Sequence, residues 1–309
     1  LTGREAVAVL DAEPSATGLA GASGVAVSDH DGATAEVRGR YLVVADGQNS
    51  RIGRDLGVER VRAWPMGMAL RTYYTSPRAS EPWIDSHLDI RDPSGQVVPG
   101  YGWLFPLGDG RVNVGVGLLS TEGAWKGVNT TKLQDYFVAQ VSEAWGLSSE
   151  PLEAPTGGRL VMGLSRGPRV GPNTLVVGDA AGAINPFNGE GIAYGYETGR
   201  LAAASLGEAL AGAGSGALAG YDRRLDAAYG DYYRVARCFV RLISDPKVLT
   251  ACVGTGMRVK PVMSAMLKVM ANLMGGSNGL TERGYRAAAR RLGEMERSGP
   301  NGAALGSLD

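Results

Sequence analysis

Cysteine and histidine are nearly absent, with two of each among 309 residues. Cys238 and Cys252 cannot build a disulfide framework, and their spacing fits no zinc pattern. Both fall in stretches that read as helical, where they are expected to pack. His30 and His87 leave little room for a multi-histidine centre, so no metal site is expected, and His87 near Asp85 and Asp89 reads as part of a surface strand. Excess charge is missing too. Thirty-one Lys and Arg balance 31 Asp and Glu, which removes the field that nucleic acid would call for. No apolar run approaches the roughly 20 residues of a membrane-spanning helix, and no signal peptide opens the sequence. There is neither a P-loop nor a G-x-S-x-G nucleophile elbow. The chain is 44% apolar and 20% charged, enough to bury a sizeable core and to exclude disorder as the dominant state. The expectation is a cytoplasmic protein, in peripheral contact with the inner face of the cell membrane.

What is present begins in mid-sheet. Residue 1 is Leu, and Glu5–Leu10, Gly24–Asp29 and Thr34–Val37 read as short strands, with a turn at Ser28–Gly32. Residues Arg40–Ala45 form a buried strand that ends in Asp46-Gly47. If this is a nucleotide-binding α/β domain, its first βαβ unit is expected upstream of residue 1. The next stretch is strand-rich. Met68–Tyr74 and His87–Arg91 are strand candidates, and Gly102–Phe105 and Val112–Leu119 form a hairpin through Leu107–Gly110. Thr130–Trp145 is an amphipathic helix with Leu133, Phe137, Val138 and Val141 on one face. The α/β style returns with a strand at Thr174–Val177 and a long helix from about Gly191, and from Tyr221 onward the chain is helical. Gly212–Gly216 follows a helix rather than a strand and reads as a connector. The domains expected are 1–60 with 166–225, a substrate-binding sheet at 61–165 inserted between them, and helices at 226–309.

The run from Gly178 to Ile192, G-D-A-A-G-A-I-N-P-F-N-G-E-G-I, carries the most chemistry. A hydrophobic strand delivers Asp179 at its carboxyl end, where open α/β sheets bind ligands. Gly182 and other small residues then let a ligand approach the backbone, and Pro186 fixes a turn. Gly189 and Gly191 open a helix whose free N–H groups and positive end suit an anion or an electron-rich ring edge. An ordinary Gly-rich strand-to-helix loop, with Asp179 as a cap, is the alternative.

This run resembles the second flavin motif of glutathione-reductase-like flavoproteins. The resemblance implies that Asp179 bonds the ribityl chain and that the amides of Gly191 and Ile192 lie at the flavin pyrimidine edge. Ala45-Asp46-Gly47-Gln48-Asn49-Ser50, followed by Leu56-Gly57, is similar to the A-D-G-x-x-S…L-G motif of the same group, although a D-G turn also serves as a plain strand exit. Tyr101-Gly102-Trp103-Leu104-Phe105-Pro106 resembles the Y-x-W-x-F-P motif of the geranylgeranyl reductase family. Aromatic-ring hydroxylases usually carry His where Gly182 stands. The resemblance implies an α/β fold of the p-hydroxybenzoate-hydroxylase type, truncated at its start, with an inserted antiparallel substrate sheet and C-terminal helices. It implies FAD as cofactor, bound by Asp46, Gly47, Gly178, Asp179, Gly182, Pro186, Gly189, Gly191 and Ile192. Family members reduce isoprenoid double bonds of archaeal lipids, chlorophyll precursors or the menaquinone side chain, and the Ala/Gly/Arg-rich composition points to the last, actinobacterial branch.

Strand alternation places Tyr101, Trp103 and Phe105 on one face, where with Pro106 they would wall a tunnel for a prenyl chain, a ligand held by shape alone. The alternative is that the rings pack the sheet against a helix. Residues 221–297 hold 14 Lys and Arg against 7 Asp and Glu, and Met263, Met266, Met270 and Met274 recur at helical spacing beside Val262, Leu267, Val269 and Leu273. With Arg258, Lys260 and Lys268 they suit a lipid surface touched through 248–297; a core-packed helix is the alternative. The reaction expected is hydride delivery to one alkene carbon and protonation of the other. Tyr101 and Tyr194 are candidate proton donors, no catalytic residue is assigned, and the electron donor is unidentified. Two other readings stay open: an FAD-dependent monooxygenase of an aromatic or quinone ring, and a truncated, non-catalytic flavin- or lipid-binding chain.

Overall fold

The computed structural model describes residues 2–16, 18–92, 94–95, 97–98, 100–120, 129–243, 247–248, 254, 259–273 and 280–298. They divide into two units: Leu1–Trp64 with Val161–Cys238 and Gly275–Asp309, and Pro65–Leu160 with Phe239–Met274.

In the first unit, β1 (Arg4–Leu10), β2 (Gly24–Asp29) and β3 (Thr34–Arg38) form an antiparallel sheet in sequence order. The β2–β3 turn closes because the Asp29 carboxylate accepts from the N–H groups of Asp31 and Ala33 while Gly32 takes a positive φ. The strand expected at Arg40–Ala45 shrinks to β4 (Leu42–Val44), which pairs in parallel with β12 (Thr174–Val176). Asn173 explains the shortening. Its amide donates to the carbonyls of Ala22 and Arg40 and accepts from Ala22 N–H at 3.0 Å, so the backbone before Leu42 is tied off sideways. Between the two strands run α1 (Arg51–Asp55) and β5 (Glu59–Arg60), which pairs with β11 (Arg166–Gly167). Leu19, Val44, Ile52, Leu56, Val58, Val176, Ala180 and Ala181 make the core beneath. A turn at Gly178–Ala181 leads to α3 (Ile192–Glu208). The connector expected at Gly212–Gly216 leads to α4 (Gly220–Leu225), whose Tyr221 donates its hydroxyl to the Val176 carbonyl.

The second unit is a five-stranded antiparallel sheet, ordered β10 (Thr156–Val161), β6 (Met66–Thr75), β9 (Arg111–Ser120), β8 (Gly100–Pro106), β7 (Asp85–His87). The expected hairpin is β8–β9. The strand expected at His87–Arg91 lies earlier, at Asp85–His87, and Arg91 makes only an isolated bridge to Val97. His87 is not simply a surface residue, because its ring meets Phe137 edge-on at 5.2 Å. Helix α2 (Thr130–Trp145) has the expected bounds, set by the Asn129 side chain accepting from Lys132 N–H and by Gly146 in the left-handed conformation. Its Leu133, Phe137, Val141 and Trp145 cover Leu104, Val112, Val114, Val116 and Leu118 of the sheet.

Helix α5 (Asp231–Ile243) spans the boundary of the two units, α6 (Lys260–Met270) belongs to the second and α7 (Leu280–Ser298) to the first. Cys238 is exposed rather than packed, because it lies on the outer side of α5 between buried Arg237 and Val240. Cys252, Arg258 and Met274 lie outside the described residues. No described helix is long and apolar enough to cross a membrane.

Leu104 is 0% exposed at the centre of the α2-facing core. Leu104→Ala is expected to destabilise the second unit by about 3 kcal/mol, read from chemical denaturation followed by tryptophan fluorescence.

Candidate functional site

The parallel register of β4 on β12 sets Val44 opposite Val176, and Val177 N–H donates to the Val44 carbonyl at 3.0 Å. Both strands therefore release their chains at the same edge, and an acid follows each. Gly47, at φ +75°, turns the chain sharply after Asp46; a Cβ there would meet nothing, so the backbone angle is what asks for glycine. One Asp46 oxygen accepts from Ile52 N–H at 3.0 Å, beside Ser50 capping Gly53 N–H at 3.2 Å. Asp46 thus caps α1, as the strand-exit alternative allows, and also stands at the edge where the second acid emerges.

After β12, Gly178 at φ +58° donates its N–H to Thr198 Oγ1 of α3 at 2.9 Å. Gly182, at φ +69°, ends the turn so close to its neighbours that a Cβ would stand 3.2 Å from the Ser165 nitrogen and from Val161 Cγ1. The lack of a side chain at this position is therefore built into the packing. Asp179 between them is half-buried, and no hydrogen bond from the described residues ends on its carboxylate. Burial pushes that carboxyl up and the nearby Arg166 guanidinium opposes the push.

The following loop ties itself together. Asn185 N–H donates to the Glu190 carbonyl, Gly189 N–H to the Asn185 carbonyl, Phe187 N–H to Asn185 Oδ1 and Glu190 N–H to Asn188 Oδ1, all at 2.8–2.9 Å. Pro186 packs against Gly163, where an added Cβ would lie 3.3 Å from its ring. Gly191 then starts α3 with no side-chain cap, and a Cβ on it would sit 3.1 Å from Asp179 Oδ1. Ala193 N–H is taken by Glu190, and Ile192 is 79% exposed on the first turn. A carboxylate without a donor, a helix start without a side chain and a positive helix end converge here. That donor set fits a ligand carrying hydroxyl groups and an electron-rich ring edge, as FAD does.

In the second unit, β8 sorts its side chains as alternation requires. Gly102 and Leu104 face α2, and a Cβ at Gly102 would run into the Phe137 ring. Tyr101, Trp103 and Phe105 share the opposite face, with neighbouring centroids 5.4 and 5.9 Å apart, and Pro106 ends the strand. These rings do not pack the sheet against α2, which covers the other side. The indole lies over Gly115 of β9, where a Cβ would collide with it, and its Nε1 donates to Asn113 Oδ1 at 2.9 Å. Burial pushes the Tyr101 phenol up to about 12.

A menaquinone reductase of Mycolicibacterium smegmatis is 42% identical over 233 residues, which is 75% of this chain and 56% of that protein. A digeranylgeranylglycerophospholipid reductase of Methanosphaera stadtmanae is 32% identical over 60% of this chain and 46% of its own length. A geranylgeranyl bacteriochlorophyll reductase-like structure from Thermoplasma acidophilum superimposes with a TM-score of 0.67 at 20% identity, covering 94% of this chain and 69% of that one. The chain is thus similar in sequence to reductases of the geranylgeranyl reductase family and shares the fold of a structure described as geranylgeranyl reductase-like. It spans about half the length of the curated relatives it matches. No family model matches it.

Three features here escaped sequence reasoning. Arg166 bridges the two acid-bearing turns, Thr198 anchors Gly178, and Tyr194 is packed among Tyr229, Tyr232 and Tyr233 with centroids 5.4–6.4 Å apart. The tyrosine cluster had a visible signal, Y-G-D-Y-Y at 229–233, one helical turn apart. Arg166 and Thr198 had none, since each acts across a long sequence gap. Gly115→Ala is expected to lift the Trp103 indole off β9 and break its bond to Asn113, seen as a red-shifted tryptophan emission and a weaker near-ultraviolet dichroism.

Proposed function

We propose that this chain is part of an FAD-dependent reductase that saturates an isoprenoid C=C bond of a prenyl lipid, the menaquinone side chain before a geranylgeranyl group. One observation carries the reading: the turns bearing Asp46 and Asp179 follow paired parallel strands, with Asp179 beside Gly191 at the start of α3, in a chain 42% identical to a menaquinone reductase. In this reading, residues 1–60 and 166–225 bind the flavin and 61–165 bind the lipid. Asp179 accepts from the ribityl hydroxyls, Gly191 and Ile192 present N–H groups to the pyrimidine edge, and Gly178, Gly182, Pro186 and Gly189 shape the loop. Asp46 and Gly47 hold the neighbouring turn in place.

When bound and reduced, FAD supplies the hydride. An isolated alkene develops no enolate oxygen to stabilise, so the protein's tasks are to position the chain, exclude water and deliver a proton. Tyr101, Trp103 and Phe105 suit the first two, as a contiguous stripe of aromatic rings in which Trp103 is 8% exposed. Tyr101 also retains its proton at every physiological pH, as a donor must until it is used. Tyr194 is enclosed by other tyrosines, so Tyr101 is the better candidate of the pair. The electron donor is a separate partner.

Helix α6 extends the reading to the lipid surface. None of its residues is buried; Val262 and Leu267 are more than half exposed, and Met263, Met266 and Met270 lie beside them with Lys260 and Lys268. This supports membrane-surface contact over a core-packed helix. Leu267→Asp is expected to lower co-sedimentation with anionic vesicles at low salt; unchanged recovery would remove the contact.

The full natural protein should be yellow, and Asp179→Ala should strip its visible absorbance. Incubated anaerobically with dithionite and a lipid extract, the wild type should add two hydrogens to a menaquinone side chain, read by mass spectrometry. A yellow protein that changes no lipid mass but consumes oxygen with a quinone would shift the reading to a monooxygenase.

A further inference from the structure

Arg166 belongs to no motif, yet it touches both turns of the flavin site. It sits on β11, in register with Arg60 of β5. Its Nη2 donates to the Gln48 carbonyl at 2.7 Å and its Nη1 to the Asp179 carbonyl at 3.2 Å. The backbone of Arg166 is braced in turn. Arg169 donates to the Arg166 carbonyl at 3.1 Å and is itself held by Asp222 at 2.8 Å.

The choice of acceptors matters. Two carboxylates stand nearby, those of Asp46 and Asp179, and both attract the guanidinium; Arg54 and Arg60 repel it. Arg166 nevertheless spends its bonds on backbone carbonyls and makes no ion pair among the described residues. An arginine bonded directly to the Asp179 carboxylate would compete with any hydroxyl-bearing ligand. Bonded to the carbonyl of the same residue, it leaves the carboxylate open while its charge stays close.

The geometry points to Arg166 as a positioning residue of the flavin site: it clamps the Asp46–Gln48 turn onto the Gly178–Ala181 turn and keeps a positive charge beside Asp179 without occupying it. The inference rests on the flavin reading above and adds a residue that reading does not contain. It has a consequence in pH. Burial raises the Asp179 carboxyl, and the Arg166 guanidinium lowers it. A carboxylate accepts from hydroxyls best when ionised, so affinity should fall as pH drops through its pKa. Removing the guanidinium raises that pKa further and moves the fall to higher pH.

The test is FAD titration of the apo form of the full natural protein, by quenching of FAD fluorescence across a pH series. Arg166→Met should weaken binding about tenfold near neutral pH and move the acid limb to higher pH. Arg166→Lys should keep the wild-type acid limb but bind several-fold more weakly, because one ammonium cannot span both carbonyls. Thermal melts of the apoproteins separate these effects from loss of fold. A Met variant within about twofold of wild type, with an unmoved acid limb, overturns the inference. Should that variant not fold, Arg166→Lys decides it, and wild-type affinity there overturns it equally. Wild-type protein that binds no FAD would instead sink the flavin reading itself.

Discussion

Everything proposed for the first unit depends on three residue pairs between β4 and β12. Parallel strands end at the same edge of a sheet, so their register decides whether the residues that follow become neighbours. Here Val44 faces Val176, and the turns bearing Asp46 and Asp179 emerge side by side although a whole second unit separates them in sequence. The register is fixed from outside the ladder. Asn173 ties Ala22 and Arg40 just before the pairing begins, and Tyr221 braces the Val176 carbonyl from α4. Asn173 and Tyr221 are therefore as much a part of the site's geometry as the acids.

The second unit applies a different constraint to a different kind of recognition. In the function proposed above, this unit meets a hydrocarbon chain, which offers neither charge nor hydrogen bonds and asks for an apolar, stiff surface. Sheet alternation gives β8 one aromatic face and one core face, and glycine at 115 lets the indole lie down on the sheet rather than stand away from it. The single polar atom of Trp103 is satisfied sideways by Asn113, which fixes the ring's direction. The same device is repeated on the core side, where Gly102 yields its space to Phe137. Fold stability and the aromatic surface thus share one strand and one pattern.

Local patterns were readable from residues alone; long-range ties were not. Helix α2 appears with its expected bounds because its apolar spacing is local, and the structure ends it at Asn129 and Gly146, directly beside that stretch. The β8–β9 hairpin and the turn–loop–helix order around Asp179 were legible for the same reason. The strand sought at His87–Arg91 lies earlier because its partner, residues 102–104 of β8, selects residues 85–87. Cys238 looked like a packing residue because helical character says nothing about which side faces out. Arg166 was invisible because its partners, Gln48 and Asp179, are brought to it only by the fold.

The loop from Asn185 to Glu190 closes on itself through hydrogen bonds that involve no ligand. A loop of this kind, with two asparagines and a glycine among six residues, would ordinarily surrender conformational entropy on meeting a ligand. Because its own side chains already hold it, most of that ordering is completed during folding. The enthalpy of a binding event at this loop is then left to appear as affinity, and glycine serves there for close approach without bringing looseness with it.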